Sequence, residues 1–496
     1  MTMADKAGDF SPGRTALIEE SLLPTTLEQR SIGMWGYAWI FVGIAVIIAT
    51  YSLGATGIQG GMDLATVALT ILAANIVIGA VMTLTADIGT EHGLSFAVYL
   101  RAPFGVRGTH LPSISRGLVA SMWFGIQTYL GALALNGIGE YFLGFENWVL
   151  WYALFCVVQV VNTAYGIRAV EKLAEFAAPA IIAISVWMYF TLDGVAQTKG
   201  LNIWTFTGTG QISLAVLFIT NMGFWSTLAI DIPNLTRFVK PIPGTPRFFK
   251  RNRNIFLAQL VALPVTQALI AGIGAISFIA ADNWNPVEVI QAQGQGVSLL
   301  VLLALVVLAQ WSTNNSANLI PAALTFVNLA PRVVNYRVGV VLAGIAGTLC
   351  FPWLILNNLF VFLGYYGAFL SAIGGIVIAD YYVLRRRRLN VPALYDMTGP
   401  FRYTAGFNVP ALLAWLVAGG IAAWFVQYAF VIGLPLGFVF YLVLMKTVVL
   451  PRAPQPEMAP GATGFLATTV GRSWVHEGDG RFALHDHGDG VEREDL

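Results

Sequence analysis

Apolar residues in this chain come in runs rather than in alternation, and most runs are long enough to cross a bilayer as helices, which takes roughly 20 residues each. Such runs predict helices near 35–58, 64–86, 113–141, 148–166 and 174–192, and again near 211–236, 256–281, 297–329, 338–355, 357–384, 409–428 and 430–449. That makes about twelve spans. Residues up to about Arg30 are polar and hold no apolar core of a secretion signal. After Leu450 the chain passes through PRAPQPEMAPGATG into a charged, glycine-rich tail, a composition that predicts disorder.

One apolar run contains a polar block. Residues 309–318 read AQWSTNNSAN, with an aliphatic stretch before them and a mostly apolar one after. An unpaired amide or hydroxyl is costly in hydrocarbon, so these groups must face protein, water or a ligand. At helical spacing the carbonyl of Ala309 lies beside Ser312 and Thr313, at i+3 and i+4. Neutral oxygens gathered in one patch suit a weakly held monovalent cation. Asn314 and Asn318 share another face one turn apart, where a polar solute could be read. Single residues of these types often only join helices in membranes, but the density of this block favours a binding role.

Two helices look interrupted. The first carries Gly43, Gly54 and Gly57 within its apolar run; the sixth reads FITNMGFWSTLAIDIPNLTRF, with Gly223 in its middle and Pro233 after Asp231. Broken helices in corresponding positions of two halves point to a substrate site near the bilayer midplane, between inverted repeats. In the third helix Trp123 and Gln127 stand at i and i+4, a flat aromatic face beside an amide that both donates and accepts. Trp225 supplies a second large ring. Such a set suits a planar heterocycle better than a sugar or a fatty acid.

Composition agrees with a polytopic membrane protein: 57% of residues are hydrophobic and 11% charged. The net charge of +1 and basic residues confined to short loops give no nucleic-acid footprint. Cys156 and Cys350 lie in apolar runs, which speaks against a disulfide framework. Loops on one side carry Arg101, Arg107, Arg251 and the run 385–388, among others, while the opposite loops offer little beyond Lys199. The positive-inside rule then places both termini in the cytoplasm, with the chain in the cell (inner/cytoplasmic) membrane. In this reading the loop charges set topology and bind no substrate. The spans hold no metal-ligand cluster, phosphate loop or nucleophile with its base, so an enzyme is not expected. They also hold no histidine, which leaves Asp231 as the best-placed carboxylate for proton coupling.

With these features assembled, the sequence resembles nucleobase-cation symporter family 1, the family of bacterial hydantoin, allantoin, cytosine and uracil permeases. The likeness runs from about Thr25 to about Leu450. It rests on RAPFGVRG at 101–108, WFGIQTYLGALAL at 123–135, GFWSTLAIDIPNLTRF at 223–238, WSTNNSANL at 311–319 and IADYYVLRRRR at 378–388. The hydantoin and allantoin branch is the most similar. The resemblance implies an all-α polytopic fold, a 5+5 inverted repeat (LeuT-like) with two C-terminal helices. Domain boundaries follow: a cytoplasmic tail at 1–30, a transmembrane domain at 31–450, and a disordered cytoplasmic tail at 451–496. Repeat one covers about 35–192, repeat two about 211–384 and the trailing helices about 409–449.

By the same resemblance Trp123 stacks on the substrate, Gln127 and Asn318 hydrogen-bond its edge, Trp225 packs opposite, and the backbone at Phe224 contributes. Carbonyls of Gly43, Val46 and Ala309, with the hydroxyls of Ser312 and Thr313, hold sodium. Where hydantoin-type members have glutamine in helix one, this chain has Ile47, which leaves that edge of the pocket apolar. The expected activity is cation-driven import of a hydantoin, allantoin or nucleobase, with sodium as coupling ion and no cofactor. The partners expected are that heterocycle, the ion and the lipid bilayer. The rival readings are a proton-coupled cytosine/uracil-type permease, a transporter-like sensor and a passive facilitator.

Overall fold

The structure, a computed structural model, describes residues 15–285, 288–289, 292, 296–355 and 359–486. Helices account for nearly all of the apolar runs. The first run is split: α1 (Met34–Ala45) ends where Val46 leaves helical geometry at φ −95° and ψ 80° and Ile47 is extended, and α2 (Ile48–Gln59) then restarts. The two halves are bent by 58°. Next come α3 (Leu64–His92), α4 (His110–Leu143), α5 (Trp148–Ala164) and α6 (Ile167–Thr198). Asp63 starts α3 by accepting from the backbone N–H of Thr66 at 2.7 Å, and Gly93 ends it at φ 70°, a left-handed cap that glycine adopts without strain.

The second break separates α7 (Leu214–Phe224) from α8 (Ser226–Asp231), with Trp225 at φ −94° and ψ 3° between them. After α8 come α9 (Arg253–Ala281), α10 (Val297–Leu329), α11 (Tyr336–Leu349), α12 (Gly364–Leu384), α13 (Val409–Trp424) and α14 (Val426–Val449). Among the described residues, seven of these helices are long and apolar enough to cross a membrane singly, and the bent α1–α2 pair makes an eighth candidate. Shorter apolar helices occupy the other expected windows, α5, α7, α11 and α13. The beginning of the span expected at 357–384 lies outside the described residues.

Packing fixes where the breaks sit. Both α1 and α6 pack on α10, α10 also packs on α4, and α8 lies between α3 and α12. Close approach of α2 and α9 depends on glycine. A Cβ at Gly54 would strike the backbone of Ala271, and one at Gly274 would strike the backbone of Tyr51. Gly54 is thus a packing residue, and the break in the first run falls at Val46 and Ile47 instead. Gly223 likewise lies two residues before the second break. Outward-facing Leu69, Phe176 and Trp424 are exposed, giving the bundle an apolar outer surface suited to lipid.

Within α10 the residues Asn315–Leu319 widen into one π-turn. Pro321 follows and has no N–H to give the carbonyl four residues back, that of Ala317. That freed carbonyl is used by another helix, as described below.

The tail differs from the disorder expected for it. Residues 451–486 fold onto the end of the bundle that carries the basic loops and end in a hairpin, β1 (Arg472–Gly478) paired antiparallel with β2 (Arg481–Asp486). Apolar side chains scattered in this polar stretch provide the reason. Trp474 and Ala467 are buried, and Phe482 stacks on Tyr395 at 4.5 Å between ring centroids. The tail also satisfies buried charge: Glu91 accepts from the backbone N–H of Ala467 at 3.0 Å and of Thr469 at 3.1 Å, and Glu457 pairs with Arg385. Leu27, in the N-terminal segment, donates its N–H to Ser473 at 2.9 Å, so both ends of the chain meet on this face. The parts of the expected tails at 1–14 and 487–496 lie outside the described residues. Several loop charges do more than set topology. Arg251 pairs with Asp87 and, at 3.2 Å, with Glu91, and Arg385 pairs with Asp380 at 2.7 Å, all fully buried.

Candidate functional site

Two neighbouring sites form where the helix breaks meet α4 and α10. At the first, α1 lies against α10 just before Val46 turns out of the helix. Thr313 Oγ1 donates to the Gly43 carbonyl at 2.6 Å. Ser312 Oγ is buried with no protein partner, and a Cβ on Gly43 would stand 2.6 Å from it. Only glycine therefore leaves that hydroxyl room beside the α1 backbone. Val46 and Ala309 line one small cavity together with Ile47 and Gln310. The structure thus brings Gly43, Val46, Ala309, Ser312 and Thr313 to one junction, all of them buried. Their carbonyls and hydroxyls are hard, neutral oxygens of the kind that bind small cations through dipoles alone.

The second site is a cavity lined by Ile47, Arg116, Trp123, Gln127, Phe224 and Asn318, among others, with Trp225 and Thr313 in its wall. All five residues expected to read the substrate are therefore in one place. Trp123 is 6% exposed and its indole N–H donates to the Tyr366 hydroxyl at 3.3 Å. Phe224 was expected to offer backbone only. Its ring instead stands edge-on to Trp123 at 5.8 Å and to Trp225 at 5.1 Å, between the two indoles. Free space in the cavity is about 30 Å³, so a heterocycle enters only as these rings move apart.

Polar atoms in the wall are incompletely used. Gln127 Oε1 and Trp225 Nε1 have no partner among the described residues. Asn318 Nδ2 donates to Asn314 Oδ1 at 2.8 Å, which aims the Asn318 amide. Asn314 itself is spent on the scaffold, donating to Gln159 Oε1 at 2.8 Å and to the Phe124 carbonyl at 3.0 Å. The expectation that Asn314 and Asn318 form one solute-reading face therefore reduces to Asn318, with Asn314 joining α10 to α4 and α5. Asn315 and Trp311 also point into the scaffold, towards Asn162 at 2.5 Å and the Phe155 ring at 6.4 Å.

Arg116 was not in the expected set. It sits in α4 two turns before Trp123, which is its i+7, and three turns before Gln127, which is its i+11, so all three share a face. That spacing was available in the sequence. Its Nε lies 2.8 Å from Asp231 Oδ2, both side chains at most 2% exposed, and its Nη2 donates at 3.0 Å to the Ala317 carbonyl that Pro321 leaves free. Asp231, the carboxylate expected to be best placed for proton coupling, is held by this arginine, with Asn234 Nδ2 at 3.5 Å. Its other oxygen, Oδ1, has no partner among the described residues.

A family described as permeases for cytosine/purines, uracil, thiamine and allantoin matches residues 24–448. The hydantoin permease of Microbacterium maritypicum is 31% identical over 442 residues, covering 87% of this chain and 90% of that protein. Among solved structures, Mhp1, a nucleobase-cation-symport-1 family transporter in a closed conformation with bromovinylhydantoin bound, superposes with a TM-score of 0.83 at 28% identity. It covers 90% of this chain and 98% of its own. A sodium-coupled sialic acid symporter in a substrate-bound outward-open state shares the fold, with a TM-score of 0.59 at 14% identity over 85% of this chain and 91% of that one.

Proposed function

Because the chain belongs to this family, the nucleobase-cation-symport-1 permeases, and is a multi-pass membrane transporter rather than an enzyme, we propose that it imports a small planar nitrogen heterocycle by sodium symport. Hydantoin, allantoin or a nucleobase is the cargo. One observation carries the reading: Thr313 belongs to both sites. Its hydroxyl is bonded to Gly43 at the oxygen-rich junction, and the same residue lines the aromatic cavity. An ion held by Gly43, Val46, Ala309, Ser312 and Thr313 fixes α1 against α10, and this sets the wall that the substrate meets. Neutral oxygens hold a monovalent ion loosely enough for it to be released.

In this mechanism Trp123 stacks on the ring, Phe224 and Trp225 close over it, and Gln127 and Asn318 read its edge. Coupling arises because ion and substrate favour the same arrangement of the broken helices, about which the two repeats rock. In this reading the end that carries the basic loops, the N-terminal segment and the C-terminal tail faces the cytoplasm, as the positive-inside rule expects.

Binding of hydantoin, allantoin, uracil and cytosine, followed by thermal shift of the purified protein with and without sodium at fixed pH, tests the proposal. Stabilisation by at least one of them, strengthened by sodium, is expected. Binding indifferent to sodium would remove the ion from the mechanism. A second reading, proton coupling, is favoured by the burial of Asp231 at 1% exposure beside the cavity wall. It requires substrate affinity to follow pH and to lose that dependence in Asp231→Asn.

A further inference from the structure

Arg116 is a costly residue to place here unless it has a task. A guanidinium carries five N–H donors and cannot be neutralised at ordinary pH. Its Nε stands in a 2.8 Å ion pair with Asp231 and its Nη2 donates to the Ala317 carbonyl, whereas Nη1 is buried with no partner among the described residues. Arg116 lines the aromatic cavity, and in the same wall the indole N–H of Trp225 is a buried donor and Gln127 Oε1 a buried acceptor, neither with a partner among the described residues. Ile44, Ile47 and Leu228 complete the wall with apolar surface. Among the fully buried unpaired polar atoms of this wall, then, Arg116 Nη1 is a charged donor.

Asp231 cannot silence Nη1, because its contact is through Nε. It fixes the plane of the guanidinium, as the Ala317 carbonyl does from the other side. A group held at two of its three nitrogens and unsatisfied at the third is oriented for a ligand. Burying an unpaired donor is penalised, and the penalty is relieved only by an acceptor that arrives with the substrate.

We propose that Arg116 is a substrate-binding residue that selects heterocycles presenting an oxygen acceptor, a ring carbonyl or a ring carboxylate, towards Arg116 and Trp225, while a ring N–H meets Gln127. This rests on the reading of the cavity as the substrate site. An amino group at the same edge would set donor against donor and leave Nη1 unpaired, the arrangement that discriminates most strongly between otherwise similar rings. Arg116 is then the residue that separates oxo- from amino-substituted rings.

The test compares uracil, its isostere cytosine and the larger, charged 6-carboxylate of uracil, with hydantoin as a fourth probe, by calorimetry on the purified full chain in saturating sodium. Loss of Arg116 alone would strand Asp231, so the variant is the double replacement Arg116→Gln with Asp231→Asn, which removes both charges at nearly constant shape, checked for folding by its thermal transition. Arg116→Lys is the second variant, retaining the charge for Asp231 without the fork. Wild type is expected to bind an oxo ring at least tenfold more tightly than cytosine, and both variants are expected to bring that ratio close to one while cytosine affinity changes little. Tighter binding of the carboxylate than of uracil identifies a carboxylate as the acceptor; the reverse order identifies a carbonyl. An unchanged ratio in a folded variant overturns the proposal and makes Arg116 a scaffold residue, as does equal binding of uracil and cytosine by wild type. Failure of wild type to bind any of the four overturns the substrate-site reading itself, and this proposal with it.

Discussion

At the scale of single residues, Thr313 and Trp123 separate the two tasks of the site. Thr313→Ala removes a hydroxyl bonded to the Gly43 carbonyl, and with it one of the oxygens offered to the ion. Substrate affinity measured without sodium is expected to stay nearly unchanged, while the gain in affinity caused by sodium disappears. A full sodium effect in Thr313→Ala would place the ion elsewhere. Because coupling is reciprocal, substrate should raise sodium affinity by the same factor in wild type and not in the variant. Trp123→Ala is expected to weaken binding by about 1–3 kcal/mol, the range found for bases stacked on aromatic side chains, with folding retained. Unchanged affinity in titration calorimetry would reduce Trp123 to a packing residue between Phe224 and Tyr366. Gln127, Ser312, Thr313 and Asn318 were legible in the sequence because polar groups are conspicuous in apolar runs, whereas Gly43, Val46 and Phe224 entered the sites only through the family resemblance. Roles were less legible. Asn314 looked equivalent to Asn318, yet its partners, Gln159 and Phe124, come from helices remote in sequence, and no spacing rule within one helix reveals them. Arg116 was overlooked although it lies within the span expected at 113–141; only its phase with Trp123 and Gln127 marks it.

Elements show the same division between local and tertiary causes. That the first and sixth runs break was legible, but the breaks fall at Val46–Ile47 and at Trp225 rather than at the glycines marked in those runs. Gly54 and Gly274 let the backbones of α2 and α9 touch. Adding a side chain there overpacks a helix crossing, at a cost of about 1–3 kcal/mol or more. Gly274→Val is accordingly expected to lower the thermal transition of the purified protein, whereas Gly194→Ala, whose new methyl meets open space near the C-terminal end of α6, should leave it level or raise it slightly. Equal transitions in the two variants would show that the α2–α9 crossing does not need glycine. The breaks themselves come from residues with no breaking propensity, Val46, Ile47 and Trp225, held in place by what surrounds them. Propensity therefore indicates that a break is tolerable, and packing decides where it falls.

For the whole molecule, the order of spans and their apolar character followed directly from the sequence, since hydrocarbon leaves helices as the only economical choice for long apolar runs. The tail did not, because its order comes from partners on α3 and α12 rather than from its own composition. Its anchor makes a stability prediction. Glu457→Ala leaves Arg385 with Asp380 alone in a fully buried position, and loss of one member of a buried ion pair costs about 3–5 kcal/mol. Arg481→Ala breaks only the exposed pair with Asp479 at 3.8 Å and should have no measurable effect. A lower thermal transition for the first variant and none for the second is expected; the same transition for both would mean that the tail is not fastened to the bundle. Transport by the full chain, finally, is the property from which all of these features take their meaning. Purified protein in sealed vesicles, offered labelled hydantoin or uracil under an imposed sodium gradient or an imposed proton gradient at clamped potential, gives the most direct measurement. Accumulation above equilibrium with inward sodium, collapse when that gradient is dissipated, and none with the proton gradient alone is the expected result. Accumulation that follows the proton gradient, ignores sodium and is lost in Asp231→Asn would contradict it.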